Sequence, residues 1–308
     1  MKKIIPFLLS LLFVLPFASE ARADEKLDFV EAKSAVLMCI DNGEVLYKEN
    51  ETEHLSPASV TKKMTILLVL EALENKKIKL TDKVTASAEA VSMGGSQIWL
   101  EVGEIMTVEE LFKAVVVASA NDACTAFAEY VGGSTASFVK IMNDRAAELG
   151  CKNTNFENCN GLDDTVKNHY SCAYDLALIS CEVMKHKLIK KYTGIWLDSL
   201  RNGETELNNT NKLVNTYNGI TGLKTGTTSN AGFCVSATAE RDGMQLVAVV
   251  LGSETSEKRF YSAALLLDWG FANYEIIKPE IDVSEIKSVK VKNGVLKSIK
   301  PVFNADNK

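Results

Sequence analysis

Apolar positions along this chain follow several rhythms, and each predicts a different kind of element. Behind Lys2 and Lys3, residues Ile4 to Phe17 run apolar with no charge among them. Residues 33–48 read as a hairpin turning at Asp41-Asn42-Gly43, which would join strands near the C-terminal end of the domain. Ser56, Pro57 and Ala58 then break regular structure. The run Met64, Ile66, Leu67, Leu68, Leu70, Ala72, Leu73 follows and predicts a helix starting at or near Ser59.

Thr107-Val108-Glu109-Glu110 has the capping-box pattern, and Leu111, Ala114, Val115 and Ala118 continue it at helical spacing. A second helix is predicted from about Asp122 to Tyr130. Helices dominate residues 59–190, and residues 195–215 form a polar connection. Strands return at Phe233–Thr238 and Leu246–Leu251, joined by a turn at Arg241-Asp242-Gly243. From Ile276 the text alternates again through Ile281, Val283, Ile286, Val289 and Val291, with a turn at Asn293-Gly294. Strands at both ends of the domain and helices between them make an α+β chain.

Three short polar motifs fall at the joints of these elements. Ser59-Val60-Thr61-Lys62 opens the first helix, where unpaired N–H groups and the helix dipole favour developing negative charge. Lys62 lies three residues on, within reach of the Ser59 hydroxyl. A serine hydroxyl needs a base, and a lysine serves only if desolvation or a second cation lowers its pKa. Lys224 is the natural second cation. Ser119-Ala120-Asn121 fills the connection between two helices, so a hydroxyl and an amide can point into one cleft. Lys224-Thr225-Gly226 occurs once and reads as a strand bordering that cleft, with Gly226 leaving room for a substrate backbone and Thr225 offering a hydroxyl to a carboxylate.

Each motif alone has an ordinary reading: a helix cap, a polar turn, a Gly-rich hairpin. Ser-x-x-Lys also recurs at Ser137/Lys140 and Ser284/Lys287, so order and setting carry the weight.

In that order and setting, the motifs resemble those of serine acyl-transfer enzymes of the penicillin-binding type. The chain resembles the D-alanyl-D-alanine carboxypeptidases of the low-molecular-weight penicillin-binding class. The likeness includes Pro57 to Thr65, Gly94-Gly95-Ser96-Gln97-Ile98-Trp99-Leu100, Asn168 to Asp175 and Gly222 to Thr227, and it extends from about Lys33 to Tyr274. It implies a β-lactamase/transpeptidase-like fold, a five-stranded antiparallel sheet flanked by helices with an all-helical lobe inserted.

The resemblance also implies the roles. Ser59 would attack the carbonyl between the terminal D-alanines of a peptidoglycan stem peptide, with Lys62 as base. Ser119 and Lys224 would pass the proton on, and the N–H groups of Ser59 and Thr227 would form the oxyanion hole. Asn121, Thr225 and Gly226 would line the substrate site, and β-lactams would acylate the same serine. Arg259, ten residues before Trp269, matches an arginine used near the substrate carboxylate; an ion pair with Glu254 or Glu257 is its other reading.

Two positions depart from the family. Ala120 replaces the usual glycine of the second motif, where a methyl group would crowd the turn or alter substrate fit, and Asn160 stands where relatives carry histidine. A β-lactamase would need a deacylating glutamate, and Glu157 has the wrong spacing. A penicillin-recognising sensor with a silent site is opposed by three intact motifs. A D,D-endopeptidase on the same scaffold is the remaining alternative.

Composition narrows the setting. Ala21-Arg22-Ala23 follows the apolar N-terminus, so residues 1–23 read as a secretory signal peptide and place the enzyme outside the cytoplasmic membrane. Residues 24–275 form the peptidase domain, and 276–308 a short β-like extension, a partial or vestigial second domain. Relatives commonly continue into an amphipathic membrane-binding tail; no such helix is legible here, and membrane attachment is unsupported. Without the leader, 31 basic residues face 39 acidic ones, a net charge of −8 that argues against nucleic acid. Cys39, Cys124, Cys181 and Cys234 lie in apolar segments, while a pair among Cys151, Cys159 and Cys172 is close enough to bridge. His54, His169 and His186 are scattered, so neither a metal nor another cofactor is predicted.

Overall fold

Six consecutive buried residues, Ser34–Cys39 (β1), show that both faces of the central sheet are covered. Side chains alternate across a strand, so neighbours in β1 report opposite layers. Leu37 meets Gly270 of the long helix Ser256–Asn273 (α9), while Met38 meets Cys181 of the helix Ala173–Lys185 (α6). The sheet is therefore sandwiched between α9 and α6. The computed structural model describes residues 26–164, 166–277, 288–292, 294–296 and 298–299.

The sheet has five antiparallel strands, as expected, in the spatial order Val45–Glu49 (β2), β1, Met244–Ser253 (β9), Gly232–Arg241 (β8), Ile220–Thr228 (β7). The predicted first hairpin is β1 with Val45–Glu49 (β2). The later strands are longer than their apolar cores indicated: Ile220–Thr228 (β7), Gly232–Arg241 (β8) and Met244–Ser253 (β9). Asp242 and Gly243, both at positive φ, close the β8–β9 turn.

Helix Lys62–Glu74 (α1) is buried from Lys62 to Leu70 and packs between α6 and the inserted lobe. That lobe contains the two-stranded pair Lys83–Thr85 (β3) and Ile105–Thr107 (β4). Its helices are Ala88–Val91 (α2), Val108–Lys113 (α3), Asn121–Gly132 (α4) and Thr135–Glu148 (α5). Both bonds of the capping box predicted at Thr107 and Glu110 are present.

Residues 195–215 are more ordered than a polar connection. After Lys190–Thr193 (α7) they form a hairpin of Leu197–Leu200 (β5) and Thr205–Asn208 (β6), then the helical turn Leu213–Thr216 (α8). The described residues divide into two separate units, one ending at Asn273 and the other starting at Tyr274. The second contains the antiparallel pair Val289–Lys290 (β10) and Ser298–Ile299 (β11). The predicted positions Ile281, Val283, Ile286 and Asn293 lie outside the described residues, as do the leader and Ser284/Lys287. Among the described residues, no helix is long and apolar enough to cross a membrane.

Candidate active site

Ser59 sits in a single turn of 3-10 helix, Ala58–Thr61, that feeds directly into α1. The Lys62 ammonium atom Nζ lies 2.8 Å from Ser59 Oγ and donates to the carbonyl of Asn160 at 2.7 Å. The whole Lys62 side chain is buried, and that desolvation brings its pKa down to about 8. The spacing of the motif thus places an amine that loses its proton near neutral pH in contact with a serine hydroxyl.

The second motif is shaped by an irregular helix end. After α3, Ala114–Ala118 form a π-helical turn, which stops at Ser119 with φ 63° and ψ 29°. Ser119 is in the left-handed region, whereas Ala120 has φ −59° and ψ 123°. The alanine departure therefore imposes no backbone strain on the turn. Asn121 donates from Nδ2 to Gly94 O at 2.6 Å and from its backbone N–H to Ser96 O at 2.7 Å. Its buried Oδ1 has no protein partner and stands ready to accept an N–H from a ligand.

The third motif lies on β7, which runs against the nucleophile turn. A Cβ at Gly226 would fall 2.7 Å from Pro57 O and 2.9 Å from Ser59 N. The space left by Gly226 is thus filled by the backbone of the Ser59 turn and not held open for substrate, which corrects the sequence expectation. Lys224 Nζ is buried and donates to Thr225 O at 3.1 Å. Burial, then the positive charges of Lys62 and Arg259, push its pKa well below the ordinary lysine range. The Thr225 hydroxyl donates to Thr210 Oγ1 at 2.7 Å, which fixes its rotamer.

Arg259 projects from α9 to the back of β7. One guanidinium nitrogen donates to Gly226 O and Thr227 Oγ1, both at 2.9 Å, and to Cys234 O at 3.2 Å. Glu254 pairs with Lys258 instead, so the surface ion pair with Glu254 is overturned, and no bond to Glu257 forms. Arg259 Nε is buried and unpartnered. All nine predicted site residues belong to this one region, which holds three buried cationic side chains.

Several supporting residues were not singled out as such. The Asn160 side chain caps Leu162 N at 3.0 Å and reaches Met93 Sδ at 3.5 Å, while its backbone carbonyl serves Lys62. Gly161 has φ +85°, and a Cβ there would lie 1.9 Å from Ala58 O. His169 accepts from Glu157 N–H at Nδ1, so its proton is on Nε2 and donates to Thr61 Oγ1 at 2.8 Å. Burial lowers the His169 pKa to about 4, which keeps the ring neutral. The Asp163 carboxylate accepts from Ser56 and Thr228 hydroxyls and ties the 160s loop to both the nucleophile turn and β7.

All seven cysteines are free and buried, so the bridge among Cys151, Cys159 and Cys172 does not form. Among the described residues, Glu71, Glu182 and His186 bring potential metal-ligand atoms within 4.8 Å of one another. The Arg145 guanidinium already lies against both carboxylates there, at 2.8 and 3.4 Å.

A sequence profile of the D-alanyl-D-alanine carboxypeptidase peptidases matches residues 20–255. A D-alanyl-D-alanine carboxypeptidase of Bacillus subtilis, DacF, is 45% identical, covering 97% of this chain and 78% of its own length. The crystal structure of penicillin binding protein 5 from Haemophilus influenzae superposes with a TM-score of 0.81 at 34% identity, covering 90% of this chain and 81% of that one. Penicillin-binding protein D2 of Listeria monocytogenes in its cefotaxime-bound form gives a TM-score of 0.74 at 32% identity, covering 80% of this chain and all of that one. With its site, its sheet order and these likenesses in agreement, the chain belongs to the D-alanyl-D-alanine carboxypeptidase family of serine peptidases.

Proposed function

We propose that this protein is a serine carboxypeptidase that removes the terminal D-alanine from peptidoglycan stem pentapeptides, through an acyl-enzyme on Ser59. The observation that carries the reading is the 2.8 Å contact between Ser59 Oγ and a fully buried Lys62. Neutral Lys62 takes the hydroxyl proton as Oγ attacks the carbonyl carbon of the D-Ala-D-Ala bond. The oxyanion is held by the backbone N–H groups of Ser59 and Thr227, donors of a kind worth about 3–4 kcal/mol each. Ser119 and Lys224 carry the proton to the departing amine. The leaving carboxylate faces Lys224 and Thr225, with the Arg259 charge behind β7. Asn121 Oδ1 accepts from the bound peptide backbone, and water then releases the shortened stem.

β-Lactams present a strained amide to the same serine and form a stable acyl-enzyme in this reading. The β-lactamase alternative is disfavoured because Glu157 is committed elsewhere: its carboxylate accepts from Lys167 N at 3.0 Å and Asn168 N at 2.8 Å. Residues 1–23 act as an export signal, and the enzyme works at the cell wall or the outer face of the cytoplasmic membrane. The test is D-alanine release from diacetyl-Lys-D-Ala-D-Ala beside benzylpenicillin turnover. Release with slow penicillin turnover supports the proposal. Rapid penicillin hydrolysis without D-alanine release makes the protein a β-lactamase, and a stable penicillin adduct with no peptide turnover favours a sensor.

A further inference from the structure

Trp99 is the one tryptophan held out in solvent, with 73% of its surface exposed. Its backbone is also unusual, at φ 58°, a left-handed conformation that is rare for a bulky side chain. Such a conformation is strained and persists only where the surroundings over-determine it. Here they do. The N–H groups of Ile98 and Leu100, on either side, both donate to the buried Asp122 carboxylate at 3.1 Å. Arg201 donates to Ile98 O at 2.8 Å, and Ile98 and Leu100 are themselves buried. Both neighbours are anchored inward, so the indole between them is forced out and its backbone cannot relax.

The same loop forms a wall of the site. Ser96 O accepts the N–H of Asn121, and a Cβ at Gly95 would meet the Asn121 amide at 2.8 Å. Three residues span at most about 11 Å, so Trp99 stands within that distance of the wall itself. An extended pentapeptide is about 17 Å long. A stem peptide with its D-alanine end at Ser59 is long enough to place its sugar-bearing end at this rim. A rigid indole face presented to water suits the apolar C–H face of a pyranose ring, and fixing it in advance lowers the ordering cost of binding.

We propose that Trp99 is a substrate-positioning residue whose indole stacks on an amino-sugar ring of the glycan strand carrying the stem peptide. This rests on the carboxypeptidase reading above and adds a determinant of preference for glycan-attached over free peptides. The test compares wild type, Trp99→Ala and Trp99→Phe on diacetyl-Lys-D-Ala-D-Ala and on a disaccharide-pentapeptide, with benzylpenicillin acylation of Ser59 as a check on the folded site. Stacking of this kind is worth on the order of 1 kcal/mol, so Trp99→Ala should lower kcat/KM on the disaccharide-pentapeptide about 5–10-fold.

The fall should appear in KM with kcat kept, Trp99→Phe should restore most of it, and the short peptide and penicillin should change less than about twofold. An equal fall on both peptides, a loss of penicillin acylation, or no change on either peptide overturns the proposal. D-alanine release by wild type from the short peptide reports separately on the underlying function.

Discussion

Lys63 follows the proposed base in α1, yet nothing in the chemistry uses it, and its removal should stabilise the protein. Its Nζ is fully buried against α6 and donates to Leu176 O at 2.7 Å and to Ser180 Oγ at 2.6 Å. Among the described residues no carboxylate pairs with it, and burial lowers its pKa from 10.5 to about 7. The unfolded chain therefore binds this proton more tightly than the native one. Native stability falls as pH drops from 10.5 to about 7 and changes no further below that. At roughly 1.4 kcal/mol per pH unit, the full cost approaches about 5 kcal/mol.

Lys63→Met keeps a similar length and volume, and Leu176 O retains the Ser180 hydroxyl as a donor at 2.7 Å. The variant should gain on the order of 2–4 kcal/mol near neutral pH, and that advantage should shrink by about 3 kcal/mol on raising the pH from about 7.5 to about 10. Urea unfolding of both proteins at the two pH values, followed by circular dichroism, measures it. A stability difference independent of pH, or a variant weaker than wild type near neutrality, would refute the reasoning.

Three further outcomes follow from the site. The acylation rate with benzylpenicillin should rise with pH through about 8 and then level, because the working form of Lys62 is the neutral one; a flat profile between about pH 6 and 9 contradicts that assignment. Gly161→Ala places a Cβ 1.9 Å from Ala58 O at φ +85° and should slow acylation at least about tenfold or lower stability by about 3 kcal/mol. An unchanged rate with an unchanged melting temperature removes Gly161 from the account. Asp122→Asn breaks a carboxylate that accepts from Ile98, Leu100 and Ala123 N–H groups and should cost about 2–3 kcal/mol in thermal unfolding. A loss under about 0.5 kcal/mol counts against the anchoring of the Trp99 loop.

The proposed catalytic groups were legible because their geometry is local. Ser59 and Lys62 are one helical turn apart, and Ser119 and Asn121 flank a single residue, so sequence spacing fixes their distances. What supports them is not local. Thr210 meets Thr225, and Asn160 meets Lys62, only because distant segments converge. Thr210 also follows a hairpin, β5–β6, whose strands are only four residues long and carry little alternation. Gly226 was read correctly as a close approach, but the approaching backbone is the nucleophile turn, a fact that pairing of β7 with the helix start decides. His169 was one of three scattered histidines in the sequence. Folding turns it into a neutral donor bracing Thr61. Two buried cations in the apolar run, Lys62 and Lys63, look alike in the text, and only the packing of α1 assigns one to Ser59 and the other to α6.

The central claim is that Ser59 is the nucleophile and Lys62 the base that activates it. Peptide mapping by mass spectrometry after brief exposure to benzylpenicillin, performed on wild type and Lys62→Ala, tests it most directly. The account predicts a single adduct on the peptide containing Ser59 in wild type, and acylation slowed by at least about a hundredfold in the variant. An adduct on another residue, or acylation of Lys62→Ala at the wild-type rate, would contradict it.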